Sequence, residues 1–131
     1  MKGCYTLEVK AHFSAAHALR GYAGDCARLH GHNWHITLFV RADRLDELGM
    51  GVDYKLLKRA LKDAIAPWDH QNLNEIPPFD RINPTSEAVA RELFLRLADT
   101  INRPGIRVVA VRVAETCTAA ATYQEVEGLV A

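Results

Sequence analysis

No stretch of this 131-residue chain approaches 18 consecutive apolar residues, so the sequence offers no transmembrane helix. No basic-then-apolar leader opens it, and its three cysteines, Cys4, Cys26 and Cys117, form an odd set without a Cys-x-x-Cys pair. The expectation is a cytoplasmic protein with reduced thiols rather than a disulfide-framed secreted one. Charge of one sign is missing too. The 16 Lys and Arg are balanced by 16 Asp and Glu, which leaves no electrostatic case for nucleic acid or an anionic membrane as partner. Near-neutrality also does little to keep copies of the chain apart, so self-association is permitted.

A chain of this length with 49% hydrophobic residues can bury a core without metal or disulfide, and is expected to form one domain over residues 1–131. Residues 6–19 alternate: Leu7, Val9, Ala11, Phe13, Ala15 and His17 on one face, Glu8, Lys10, His12 and Ser14 on the other. Residues 30–41 alternate as well, with His30, His32, Trp34, Ile36, Leu38 and Val40 together, and Asn33, His35, Thr37 and Arg41 opposite. Both patterns predict half-buried strands. The period becomes helical from the N-cap Asp53 to Ala66, with a stripe of Tyr54, Leu57, Leu61, Ala64 and Ile65 before Pro67. A loop over 68–83 contains Pro77-Pro78. A second helix begins at Asn83-Pro84-Thr85-Ser86-Glu87 and runs to about Ile101 on a stripe of Val89, Leu93 and Leu97. A third strand over 106–116 places Val109, Val111, Val113 and Glu115 on one face, and a fourth is expected over 122–130. The order ββααββ predicts an α+β domain, a four-stranded antiparallel sheet with two helices on one face. Its two edges need cover or a partner.

The chemistry concentrates on the histidines. His17, His30 and His32 share the core parity of two strands that can be neighbours. Uncharged imidazoles rarely cluster in a core without a common partner, so the three predict a metal site with an open fourth position. Zinc is the expected ion, although spacing also admits iron or another divalent metal. His12 and His35 have the wrong parity and are expected at the surface.

Three further features have two readings each. Cys26, in a polar loop beside Arg28 and His30, is either a base whose thiolate a nearby cation stabilises, or a fourth ligand that closes a structural site. Asp69-His70 is either a carboxylate orienting an imidazole or a loop turn. Glu115, on an apolar strand face, is either an anchor accepting two N–H bonds from an amidine-like ring edge or a strand-end carboxylate reaching water.

Together the motifs Phe13-Ser14-Ala15-Ala16-His17, Cys26-x-x-x-His30-Gly31-His32, Gly51-Val52-Asp53-Tyr54, Asp69-His70-x-x-Leu73-Asn74, Asn83-Pro84-Thr85-Ser86-Glu87 and Glu115-Thr116-Cys117-Thr118 span nearly the whole chain. They resemble the 6-pyruvoyl-tetrahydropterin synthase family and, within it, the bacterial 6-carboxytetrahydropterin branch of queuosine biosynthesis. The resemblance implies zinc on His17, His30 and His32, with Cys26 as catalytic base tuned by Asp69 and His70. It implies that Glu115 anchors a pterin ring, with Thr85 and Ser86 as further contacts. The implied fold is the tunnelling fold, in which subunits join their sheets into a barrel, a hexamer being the family expectation. Active sites then lie between subunits, and the Asp-His pair can come from a neighbouring chain. The implied reaction turns 7,8-dihydroneopterin triphosphate into 6-carboxytetrahydropterin, releasing acetaldehyde and triphosphate without nicotinamide or flavin. Two alternatives stay open: triphosphate elimination that stops at the pyruvoyl product, and a zinc-stabilised assembly module without catalysis.

Overall fold

The structure, a computed structural model, describes residues 1–125. Strands β1 (Tyr5–His17) and β2 (His30–Ala42) form a long antiparallel hairpin. Helix α1 (Tyr54–Ile65), the short strand β3 (Gln71–Asn72) and helix α2 (Ser86–Ile101) follow, then strands β4 (Ile106–Thr116) and β5 (Ala119–Gln124). The sheet order is β3-β1-β2-β4-β5, antiparallel throughout except for β3, which runs parallel to β1. Both helices start as the sequence dictates. Asp53 caps α1 by accepting from the Lys55 amide at 2.9 Å, and Thr85 caps α2 by accepting from Ala88 at 3.1 Å.

The expected parity holds along the hairpin. Val9, Phe13, Ala15, Trp34, Ile36, Leu38 and Val40 are buried against Leu57, Leu61, Leu93 and Leu97 of the helices. The opposite face of the sheet is free of helices and carries exposed His12 and His35, which are cross-strand partners. The α+β class is as expected; four details differ. Among the described residues the sheet has five strands, because two-residue β3 is too short to leave an alternation in the sequence. Tyr54 is exposed and lies outside the buried stripe of α1. The last strand begins earlier, at Ala119, because Cys117 and Thr118 alone make the turn. Alanines, poor strand formers, masked that start, and the 126–130 part of the expected strand lies outside the described residues.

The fourth difference reaches the function. Phe39 pairs with Ala110 but Val40 with Val108, so Val109 is an extra residue, a β-bulge in β4. Val108, not Val109, therefore joins Val111 and Val113 in the core, while Val109 lines a concavity on the helix-free face with Arg41 and Arg112. A second shift lies between Ala114 and Thr116 and leaves Glu115 as the extra residue against β5.

The approach from β2 to α1 is tight. A Cβ on Gly51 would stand 2.7 Å from the Ala42 Cβ and 3.3 Å from a Leu7 methyl. Gly51→Val is therefore expected to destabilise the fold by about 1–3 kcal/mol through overpacking, read as a lower urea midpoint at unchanged slope.

Candidate metal centre

The β1–β2 register places His17 directly opposite His30 and Ala15 opposite His32. The small Ala15 side chain separates His17 from Phe13, while Trp34 closes the site below, its ring centroid 4.8 Å from that of His17. The Trp34 indole is itself fixed, donating to the Ala15 carbonyl at 3.2 Å. His17 is 1% exposed, and the three imidazole centroids lie 4.5, 4.9 and 5.2 Å apart. One ligand nitrogen from each ring can be chosen so that all lie within 4.8 Å of one another. His17, His30 and His32 are thus positioned to hold a metal ion.

Hydrogen bonds fix which nitrogens face inward. The His17 Nδ1 lies 2.7 Å from the Pro84 carbonyl, and the His30 Nδ1 lies 2.7 Å from the Arg28 carbonyl. A carbonyl can only accept, so both Nδ1 atoms carry the proton and both Nε2 atoms present a lone pair. Backbone carbonyls commonly orient metal-ligating imidazoles in this way. The His17 Nε2 is buried and without a hydrogen-bond partner among the described residues. An orphaned buried acceptor calls for a reason, and a cation shared with His30 and His32 supplies it. The donor set fits zinc well.

Burial, the largest influence, lowers the His17 pKa below 6.5; His30 and His32 act the same way, while the Pro84 carbonyl and Glu115 oppose them. The ring is thereby kept neutral and ready to ligate. Because the unfolded chain binds this proton more tightly than the folded one, the metal-free protein holds this stability above pH 6.5 and loses it as pH falls through the folded value. Melting temperatures of chelator-treated protein are expected to fall as the pH drops below 6.5, and to do so less steeply in His17→Asn. Equal slopes in the two proteins would contradict this.

Glu115 is drawn to the same place. Its carboxylate oxygens lie 3.7 Å from the His32 Nε2 and 4.0 Å from the His17 Nε2. It keeps the face of Val111 and Val113, so it reaches the mouth of the triad, half-buried, rather than open water. Cys26 is exposed in a one-turn segment, Asp25–Ala27, of the β1–β2 loop. The ligand group among the described residues contains no thiol, so this arrangement does not form a site closed by Cys26. Thr85 and Ser86 follow Pro84, whose carbonyl holds His17. The Thr85 hydroxyl is already engaged as the cap of α2.

Asp69 and His70 do meet: the carboxylate lies 3.0 Å from the His70 Nδ1. The turn that allows this bends at His70, whose φ is +60°, a value Asx and His residues adopt more readily than most. The other Asp69 oxygen accepts the Ser14 amide at 3.0 Å. That bond chiefly, and then the His70 ring, holds the Asp69 carboxyl below its ordinary pKa of 3.8. The pair is nevertheless apart from the triad. It lies at the outer edge of β1, and His70 opens into a cavity of about 530 Å³ with Ser14, Ala16, Gly31 and Asn33, residues of the helix-free parity. His32 is the triad member that also borders it. One chain thus brings together His17, His30, His32 and Glu115, but not Asp69 and His70 with them.

Sequence reasoning passed over Asn74 and Asn83, which bind the chain just beyond His17, and Arg20, whose guanidinium holds the Phe79 carbonyl. Their signal was present, since both asparagines sit within the quoted motifs.

Comparison with known proteins bears on this arrangement. A family model described as 6-pyruvoyl tetrahydropterin synthase matches residues 6–126. The 6-carboxy-5,6,7,8-tetrahydropterin synthase of Synechocystis sp. is 40% identical over 116 residues, spanning 85% of this chain and 86% of its own. The protein of the same name from Bacillus subtilis is 35% identical over 133 residues, spanning 95% and 88%. Among solved structures, Caenorhabditis elegans 6-pyruvoyl tetrahydropterin synthase superposes with a TM-score of 0.84 at 28% identity, covering 95% of this chain and 97% of that one. The architecture is that of the tunnelling fold.

Proposed function

From the membership of this chain in the 6-pyruvoyl tetrahydropterin synthase family, we propose that it converts 7,8-dihydroneopterin triphosphate and water to 6-carboxytetrahydropterin, acetaldehyde and triphosphate. The observation that carries the reading is the convergence of three imidazoles within 4.8 Å beside the Glu115 carboxylate. The names of the Synechocystis and Bacillus relatives favour the carboxy product.

His17, His30 and His32 would hold zinc, which when bound supplies the Lewis acidity that makes the substrate's side-chain hydroxyls easier to deprotonate. Glu115 accepts the N–H pair of the pterin's amidine-like edge, so that the reacting carbons stay over the site. Thr85 and Ser86 line the ring's approach. Cys26 takes the side-chain proton as its thiolate, starting internal redox and loss of triphosphate; carbon–carbon cleavage follows. No nicotinamide or flavin is implied, because oxidation and reduction occur within one substrate. Asp69 orients His70 to serve the thiol. Since the pair faces away from its own triad, the copy that serves the site comes from an adjacent subunit. Among the described residues, Tyr5–Phe13 of β1 have a strand partner on one side only, and β5 is the other edge of the sheet. Joining such edges closes sheets into a barrel, and a hexamer is the assembly we expect. The product fits queuosine biosynthesis in the cytoplasm.

The direct test is product identification with purified, zinc-loaded protein. Acetaldehyde in step with triphosphate release is expected; triphosphate without acetaldehyde would assign the pyruvoyl reaction instead, and no turnover would leave only a zinc-stabilised module. Glu115→Gln keeps the size but loses the charge, and is expected to weaken substrate binding by about 1.5–3 kcal/mol, the worth of hydrogen bonds to a charged group. An unchanged substrate affinity would remove Glu115 from this role.

A further inference from the structure

Beyond His17 the chain leaves β1, yet the outer edge of the strand stays hydrogen-bonded. Ser14, Ala16, Ala18 and Arg20 alternate along it. Ser14 donates to Asp69 and accepts from the His70 amide at 2.6 Å, and Ala16 pairs with Asn72 in β3. Ala18 then donates to the Asn74 Oδ1 at 2.8 Å, and its carbonyl accepts from the Asn74 Nδ2 at 2.9 Å. Arg20 does the same with Asn83, both distances being 2.9 Å. Each carboxamide thus makes the two-bond exchange that a residue of a neighbouring strand would make. An amide N–H needs an oxygen and a carbonyl needs an N–H, so the orientation of both side chains is determined.

The mounts are rigid. The Arg20 guanidinium donates to the Phe79 carbonyl at 2.6 Å and to those of Asn74 and Ile82 at 3.3 Å, gathering the segment that carries both asparagines. The Asn74 amide is itself bonded to the Asn72 side chain at 3.0 Å. Between the two held residues, Leu19 turns its N–H the other way and donates to the Cys26 carbonyl at 2.8 Å. That bond fastens the loop towards its β2 end, whereas the Ala27–Gly24 and Arg28–Asp25 bonds are internal to it.

The geometry points to Asn74 and Asn83 as positioning residues for Cys26: they replace a missing strand, hold Ala18 and Arg20, and so aim the Leu19 amide that anchors the Cys26 backbone. The inference rests on the proposed reading for its catalytic consequence, but not for the placement itself. Neither asparagine touches substrate or metal. They act through three residues of main chain.

The test uses Asn74→Ala, Asn83→Ala and Asn83→Asp in the full chain, with three readouts: steady-state kinetics, zinc content, and iodoacetamide alkylation of the Cys26 peptide followed by mass spectrometry, with the Cys117 peptide as internal control. Each alanine variant is expected to lower kcat by about 10–100-fold, the usual effect of a misplacement near 1 Å. KM and zinc content stay near wild type, and the Cys26 alkylation rate changes severalfold while that of Cys117 does not. Asn83→Asp keeps the acceptor for the Arg20 amide and is expected to recover part of kcat. Wild-type alkylation of Cys26 in both alanine variants overturns the inference, as does a kcat loss that only tracks loss of zinc. Altered alkylation together with full turnover in Cys26→Ala supports the placement and removes the base role, so the two readings fail separately.

Discussion

His17→Ala is expected to leave a chain that cannot hold zinc and, with it, to abolish turnover. Loss of a partner that merely orients a ligand costs about 10–100-fold in metal affinity, so loss of a ligand itself must exceed that. The two imidazoles that remain are partly exposed and leave a two-nitrogen site. His17 is also the buried member of the triad, and its Nδ1 is the donor to the Pro84 carbonyl. Truncation leaves that carbonyl without its donor beside a new cavity next to Trp34, which adds about 1–3 kcal/mol of destabilisation for an unmet polar group. Elemental analysis of dialysed protein reads the first effect, thermal melts with and without zinc the second. His12→Ala and His35→Ala, on the helix-free face, keep full zinc content. Stoichiometric zinc in His17→Ala would sink the assignment of the centre.

Cys26→Ala should do the reverse: zinc stays and turnover goes. The thiol is outside the imidazole group and exposed, so its removal leaves the three ligands and their carbonyl anchors intact. A positioned general base contributes about 10²–10⁴-fold, which sets the expected fall in kcat. Full turnover in the variant would exclude the base role. Loss of zinc would reinstate the thiol as a ligand and the site as a closed, structural one. One preparation therefore separates the two roles that the spacing of Cys26 to His30 admits.

The centre was legible because alternation has a period of two. His17, His30 and His32 share parity with Phe13 and Trp34, and no later rearrangement moved them off that face. Capping chemistry fixed the helix starts at Asp53 and Thr85 equally well. The missed features are those that interrupt a period. A bulge adds one residue without any mark in composition, so Val109 and Val108 exchanged roles, while Glu115, beyond it, kept the face that alternation gave it. Strand β3 is shorter than one repeat of its own pattern. Which face of the sheet receives His70 depends on a turn and on the bond of Asp69 to Ser14, 55 residues away in sequence, and local patterning carries no information about it.

The β1–β2 hairpin has a kinetic consequence. His17 faces His30 across the 18–29 loop, and the whole imidazole group falls within residues 17–32. Contacts so close in sequence form early, because little chain must be closed to make them. The edge that Asp69, Asn74 and Asn83 seal joins residues 55, 56 and 63 positions apart, and belongs to the slow, non-local part of folding. A refolding chain is therefore expected to bring the three imidazoles together before it acquires the frame around Cys26. A metal ion present from the start of refolding is then expected to hold the hairpin in register while the rest of the sheet assembles.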